Sequence, residues 1–243
     1  FAPAGKEDAA VRPAPVTALE RGPAIGFAPP KAPAADQDSW PTYRRDHTRG
    51  GTTPTTVSHT LQTAWTTDLG GKLTSPVVAD RVLLVAETDA PRVHAHNAAT
   101  GEPARYFTAG ARNDSAPTIH QRRVQFGSAD GHGYCLPLED GGLIWRFRAA
   151  PCDRRIVVVE QVESRWPVPG NVLVLDGAAY FSAGRNAYVD GGMFLYKLDA
   201  ATGQTLKRVE LAVEEDKRNS GFAGAGCLPD VLSSDGESIF MRS

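Results

Sequence analysis

The chain has 243 residues, with 24 Gly, 18 Pro, 41% hydrophobic residues and a formal charge of −2. That length can bury a substantial core, in one large β domain or two smaller ones, and the near-neutral balance gives no basic footprint for nucleic acid. No apolar run approaches the ~18 residues of a membrane-crossing helix, so no transmembrane segment is expected.

Residues 1–38 are dominated by Ala and Pro ("RPAPVTALERGPAIGFAPPKAPAADQD"). Such a stretch lacks the apolar density to offset its ordering entropy, and its prolines block helix and ladder alike. It is expected as a semi-extended linker, or as a strap over a neighbouring domain, with the folded part spanning 39–243. From Trp65 onward short β-branched runs alternate with Asp-Gly punctuation at 130–131, 140–141, 176–177, 190–191 and 235–236. Asp-Gly between apolar runs predicts hairpins, because Gly takes a positive φ without steric cost. The stretch 211–221 ("LAVEEDKRNSG") reads as an exposed loop. The chain starts at Phe1 and stops at "SIFMRS", in what reads as mid-strand, so a longer parent protein is expected.

Three turns set a period. "HAHNAATGEPARYF" (94–107), "CLPLEDGGLIWRF" (135–147) and "KLDAATGQTLKRV" (197–209) each place a Gly turn before a mostly apolar strand. Gly101 and Gly141 lie 40 residues apart, and Gly203 follows 62 later. Upstream of each sits a pair of strand runs, "SPVVADRVLLVAE", "APTIHQRRVQFGSADG" and "GNVLVLDGAAYFSAGR", and a fourth copy begins at "LPDVLSSDGESIFM". A repeat of about 40 residues with four short strands is the signature of a propeller blade. The long interval then holds one blade plus an insertion at 149–170. The expected fold class is all-β: a β-propeller of four-stranded antiparallel blades. Its length suits about four to five blade equivalents, a partial ring, since closure commonly takes about six to eight.

These turns resemble the pyrroloquinoline-quinone-type (PQQ-like, BamB-like) propeller repeat family, whose blades end in A-x-D-x-x-T-G-x-x-x-W. That family includes quinoprotein dehydrogenases and the BamB-like outer-membrane assembly lipoproteins. In the first blade Ala95, Thr100 and Gly101 fit the motif, with Asn97 in place of the Asp and Arg105 in place of the Trp. In the second, Gly141 and Trp145 fit, while Pro137 replaces the Asp and Asp140 the Thr. In the third, Asp199, Thr202 and Gly203 fit and Lys207 replaces the Trp. The lead-in from Ser39 to Gly71 is also similar to that family's, so the resemblance covers roughly 39–243. It implies that each Trp docks on the next blade's turn. Where Trp is missing, Phe107 and Val209 are expected to supply that packing, and Trp65 to belong to the outer strand of a preceding or closing blade. It also implies a periplasmic, cell-envelope or secreted setting in a bacterium.

Quinoprotein catalysis would need the quinone, a Ca²⁺ held by oxygen ligands, and an Asp base. The resemblance also implies a vicinal Cys-Cys pair in such dehydrogenases, and none exists among Cys135, Cys152 and Cys227, which are expected as small buried side chains. Asp114, Asp130, Asp190 and Asn186 could offer oxygens from loops but match no ligand spacing. His94 and His96 share a strand face, a spacing that can bind metal but lacks a third ligand; His120 and His132 read as solvated turn residues. "GFAGAGC" (221–227) misses the G-x-G-x-x-G fingerprint. What remains are loops: the insertion, with Arg165 and Trp166, and a long hairpin, with Arg185, Asn186 and Tyr188, are the candidate binding residues. Arg and aromatic side chains there suit a protein or glycan partner. The expected function is a non-catalytic binding or scaffold module without a cofactor. The alternatives are a quinone- and Ca²⁺-dependent dehydrogenase, or a propeller fused to an enzyme domain outside this sequence.

Overall fold

The structure, a computed structural model, describes residues 18–30, 38–158, 160–188, 192–211, 229 and 231–242. The stretch 212–228, which holds Cys227 and "GFAGAGC", lies outside them, as does Asp190. In chain order the strands are β1 (Leu19–Arg21), β2 (Val77–Ala79), β3 (Val82–Glu87), β4 (Arg92–Asn97), β5 (Pro103–Thr108), β6 (Thr118–His120), β7 (Arg123–Gly127), β8 (His132–Pro137) and β9 (Trp145–Arg148). They continue with β10 (Arg155–Val158), β11 (Gln161–Ser164), β12 (Leu173–Leu175), β13 (Ala178–Ala183), β14 (Met193–Asp199), β15 (Thr205–Leu211), β16 (Ser233–Ser234) and β17 (Ile239–Phe240). The described residues contain no helix.

Three antiparallel four-stranded meanders form the blades: β2–β5, β6–β9 and β12–β15. The arrangement is open, with the β16–β17 hairpin beginning a further repeat. The extra residues of the 62-residue interval form the β10–β11 hairpin between blades 2 and 3. Within the Ala/Pro-rich stretch expected as linker or strap, β1 pairs antiparallel with β9, giving blade 2 a fifth, outermost strand.

Local chemistry explains the turns. Each first-to-second strand connection has two residues, and both take positive φ: Asp80/Arg81 (50°, 65°), Gln121/Arg122 (47°, 56°) and Asp176/Gly177 (49°, 72°). That is the geometry whose twist suits a tight hairpin. In the third-to-fourth turns an Asx side chain holds the backbone. Asn97 Oδ1 accepts the Ala99 N–H at 2.9 Å, and Asp199 Oδ1 accepts the Thr202 N–H at 2.7 Å. Asn thus does the job of the family's Asp, since only a short side-chain acceptor is needed. Pro137 cannot, and blade 2 uses Asp140 Oδ1, which accepts the Gly142 N–H at 2.8 Å.

The core lies between blades. Each interface sets one aromatic from the last strand of a blade against two from the next: Phe107 on Phe126 and Tyr134, at 5.8 and 5.6 Å, then Phe147 on Phe181 and Tyr196, at 6.3 and 5.1 Å. Such edge-on packing adds to the area buried. Aliphatic side chains fill the rest, including Val77, Leu84, Val124 and Leu138 in one interface and Ile144, Val168 and Leu198 in the other.

Trp145 lies on the Gly203 turn of blade 3 and Trp65 on the Gly101 turn of blade 1. Their indole N–H groups donate to the Ala200 and Ala98 carbonyls at 3.2 and 3.1 Å. Trp65 therefore docks on blade 1 from a segment outside any described strand. At the turn between them, it is Arg105 itself whose aliphatic stem covers Gly141, its Cδ 3.3 Å from where a Cβ would stand. Phe107, expected to supply this contact, packs one layer away against the aromatic pair of blade 2.

Candidate functional site

A meander of antiparallel strands has two ends. One carries the tight first-to-second and third-to-fourth turns; the other carries the second-to-third loops and the crossovers between blades. The crossovers, the inserted hairpin and the long loops all gather at that second end, where a propeller places variable residues.

A buried ion-pair cluster ties this end together. Glu163, on β11 of the insertion, has a wholly buried side chain. Its carboxylate pairs with Arg112 Nη1 from the crossover between blades 1 and 2, and lies 2.6 Å from Arg185 Nη2 on the β13–β14 loop. Arg112 also holds Asp114 at 2.7 Å. The two loops expected as separate binding elements are thus joined: Arg185 also donates to the Ser164 carbonyl at 3.4 Å. Trp166 is 6% exposed and belongs to the core between blades 2 and 3, with the Arg165 guanidinium over its ring at 5.7 Å. Asn186 Oδ1 accepts the Tyr188 N–H at 2.9 Å, closing a turn. Of these five residues, Arg185 thus touches the insertion through Glu163 and Ser164, and Trp166 anchors its end in the core. Glu163 lay in the insertion read from sequence, but its pairing with Arg112, 51 positions away, left no local pattern.

A second polar group is formed by His132 and Tyr134, alternate residues on one face of β8, and by Asp130 of the preceding turn. His132 was expected as solvated; its Nδ1 instead lies 3.3 Å from Asp130 Oδ1, and its N–H donates to the same oxygen at 2.9 Å. The Tyr134 hydroxyl and the Gly110 N–H, at 3.1 Å, donate to Oδ2. Burial pushes the Asp130 carboxyl up, but the His132 and Tyr134 contacts outweigh it and hold the pKa below the usual value. Burial, then the neighbouring Asp130 charge, drives the Tyr134 hydroxyl well above its ordinary range. Beside them a cavity of about 280 Å³ is lined by Glu20, Asp130, His132, Arg146, Arg148 and Arg155, among others.

The inserted ribbon turns an apolar pair to the surface of this end. Val157 and Val162 face each other across the β10–β11 ribbon, so their side chains share a face, and they are 75% and 55% exposed. Elsewhere His94 lies 3.3 Å from Glu87 and His96 Nδ1 lies 3.0 Å from the Gly101 carbonyl, so each ring has its own partner. His120, expected as solvated, has a buried Nε2 without a partner. Cys135 is buried, and both it and Cys152 are free thiols.

The inner edge of the blades is also occupied by protein. Trp40 pairs with Val78 of β2, the Pro41 carbonyl accepts the Ile119 N–H of β6 at 2.7 Å, and Thr42 meets Thr118 at 2.9 Å. Arg49, buried, donates to the Leu232 carbonyl at 2.9 Å and to Thr42 at 2.8 Å; burial lowers its pKa to about 10. The lead-in segment thus laces the first strands to the start of the fourth repeat.

A Ca²⁺-bound quinone does not fit the groups described. Asp114 is committed to Arg112, Asp130 to His132, Tyr134 and Gly110, and Glu163 to two guanidinium groups. Among the described residues no three His, Cys, Asp or Glu are placed to hold a metal ion.

Repeated four-stranded sheets, aromatic interfaces and Trp-on-Gly docking define a β-propeller of the quinone-type repeat class. A family model described as "Outer membrane protein assembly factor BamB" matches residues 55–223, and the chain belongs to that PQQ-like, BamB-like repeat family. No curated protein matches the chain. Among solved structures it is similar to the quinohemoprotein alcohol dehydrogenase of Pseudomonas putida HK5, with TM-score 0.62, 16% identity, and 83% of this chain covering 33% of that one. The corresponding enzyme of Comamonas testosteroni gives TM-score 0.58 and 18% identity, over 72% of this chain and 28% of that one. A europium-containing methanol dehydrogenase gives 0.56 and 13%, over 75% and 34%. The likeness to these is one of fold, and the chain spans about a third of their length.

Proposed function

We propose that this propeller is a non-catalytic binding or scaffold module of a bacterial envelope or secreted protein, and that its partner is a protein. The observation that carries this is the Val157–Val162 pair: an inserted two-stranded ribbon stands on a rigid ion-paired base and turns an apolar face outward. Charges at the same end are spent on one another, while an exposed ribbon offers both side chains and a free strand edge to an extended partner segment. The family's description as an outer-membrane assembly factor supports an envelope setting. The Arg165–Trp166 and Arg185–Tyr188 segments contribute by holding the ribbon in place.

The second reading, a quinone- and Ca²⁺-dependent dehydrogenase, is favoured by the fold likeness to quinohemoprotein enzymes. A third, in which the propeller carries an enzyme domain encoded outside this sequence, agrees with the partial coverage of those structures. Titration of the full-length protein with pyrroloquinoline quinone and Ca²⁺, followed by absorbance and heat, separates them. Photo-crosslinking from position 157 in the native envelope fraction is done alongside. The scaffold reading expects no saturable quinone binding and a discrete protein adduct that Val162→Glu abolishes; Ca²⁺-dependent quinone binding overturns it.

A further inference from the structure

Residues 18–27 touch blade 2 in the manner of a bound peptide. Leu19, Glu20 and Arg21 pair with Phe147, Arg146 and Trp145, and the Arg148 N–H donates to the Ala18 carbonyl at 2.6 Å. Beyond the strand, the Gly22 and Ala24 N–H groups donate to the Ile144 and Leu143 carbonyls at 2.9 and 3.0 Å. Pro23, which has no N–H, falls between these two donors, as an edge requires. Three side-chain positions are read by shape. Leu19 reaches the Gly203 turn beside Trp145, its Cδ1 2.7 Å from where a Cβ on Gly203 would stand. Phe27 lies under the Arg123 guanidinium at 5.5 Å, and its carbonyl accepts Arg123 Nη2 at 3.0 Å. At Gly22 an added Cβ would fall 2.0 Å from the Leu143 carbonyl oxygen, so no other residue fits there.

We propose that the outer edge of β9 is a peptide-recognition groove and that residues 18–27 are its exchangeable occupant, a strap held in cis. Blades 1 and 3 are complete with four strands, so a fifth is not needed to build one. The strap adds to its sheet at the β9 edge, lays Leu19, Ala24 and Phe27 against the core between blades 2 and 3, and pairs with residues 124 positions away in sequence, between Arg21 and Trp145. In sequence it is joined to the blades by the dozen residues "APPKAPAADQDS" (28–39). A tether of that length supplies an effective concentration on the order of 1 mM, so an intrinsic dissociation constant of about 100 µM keeps the strap seated roughly nine-tenths of the time. Its release frees the β9 edge for another strand and removes Ala18 and Glu20 from the wall of the 280 Å³ cavity. Arg146 then loses the carboxylate that faces it. The strap thus closes two surfaces at once, a sheet edge and a polar cavity.

The test uses the full chain with a specific protease site written into 31–36. After cleavage a fluorescent synthetic peptide of residues 18–28 is added, and anisotropy is followed with the chain's own unfolding transition as control. The expected result is saturable entry of the labelled peptide in the range of about 10–100 µM, with release of the native strap. A peptide carrying Gly22→Ala is expected to bind at least about 100-fold more weakly, because backbone cannot move aside as a side chain can. A strap that never exchanges, a vacated groove that refuses the peptide, or a chain that loses its unfolding transition on cleavage would each overturn the proposal. In the last case the segment is an integral strand.

Discussion

Trp145 lies so close over Gly203 that a Cβ built on the glycine would stand 2.8 Å from the indole ring, while the indole N–H reaches the Ala200 carbonyl at 3.2 Å. The pair joins blade 2 to blade 3, and Trp65 with Gly101 repeats it at blade 1. Gly203 has φ +71° as well, so two separate demands exclude a side chain. Gly177, φ +72°, shares the second demand without the first, having nothing within 4 Å of a Cβ. Gly177→Ala is therefore expected to cost about 1 kcal/mol, the left-handed penalty alone, and Gly203→Ala about 3 kcal/mol or more. Urea unfolding of both variants measures the difference, and equal losses would show that the docking contact contributes nothing.

Arg105 occupies the place of Trp65 and Trp145 at an even spacing of 40 residues. Its stem covers Gly141, and burial lowers its pKa although Glu139 and Asp140 stand nearby. An indole at this position would cover more apolar area and could donate to the Leu138 carbonyl, the counterpart of Ala98 and Ala200. Arg105→Trp is expected to raise stability by about 1 kcal/mol, read as a higher urea midpoint with an unchanged slope. A lower midpoint would mean that the Arg105 charge matters more than its stem.

Those two turns also show what was legible beforehand. The 40-residue period, the Gly turns and the aromatic at fixed offset are local patterns, and local patterns survive in sequence. Arg105 as a stand-in for Trp was visible as a position but not as a contact, because a long aliphatic stem is hidden behind a charge. Phe107 looked the better candidate on hydropathy alone. At the loop end Arg185 and Trp166, expected as binding side chains, instead meet Glu163 and the core between blades 2 and 3. Ion pairs such as Arg112–Glu163–Arg185 join two crossovers and a loop within blade 3, and β1 lies more than a hundred positions from its partner strand. Neither leaves a periodic trace. His132 misled for a simpler reason: a His beside Gly reads as a turn, whereas His132 opens β8 and is held by the carboxylate of Asp130 in the turn before it.

Glu163, itself wholly buried, balances two guanidinium groups that are each about a quarter exposed. Glu163→Gln removes the buried carboxylate that both cations share, with Asp114 still facing Arg112, and is expected to cost about 2–3 kcal/mol. Combining Glu163→Leu with Arg112→Met and Arg185→Met is expected to regain most of that loss, because the buried charges go together and only Asp114, about a third exposed, keeps its own. Thermal or urea unfolding of the single and triple variants decides. A triple variant no better than Glu163→Gln would assign the cluster's value to geometry rather than to charge balance.

His120 closes blade 2's first strand with a ring whose Nε2 is buried and unpartnered. Burial, and then the Arg123 charge, disfavour the imidazolium and hold the pKa below its ordinary value. In the unfolded chain the same side chain titrates near 6.5, at about the model-peptide value. Above that pH both states carry a neutral ring. As pH falls below it, the unfolded chain takes up a proton that the folded chain refuses until its own lower pKa is reached. Stability is therefore full above about pH 6.5 and drains away as the pH falls through that window. His120→Gln cannot take up the proton and is expected to show a shallower loss. Urea midpoints of the two proteins at pH 8, 7, 6 and 5 test this, since their difference cancels every other titrating group. Parallel curves would mean that the ring is solvated and freely protonated in the folded protein.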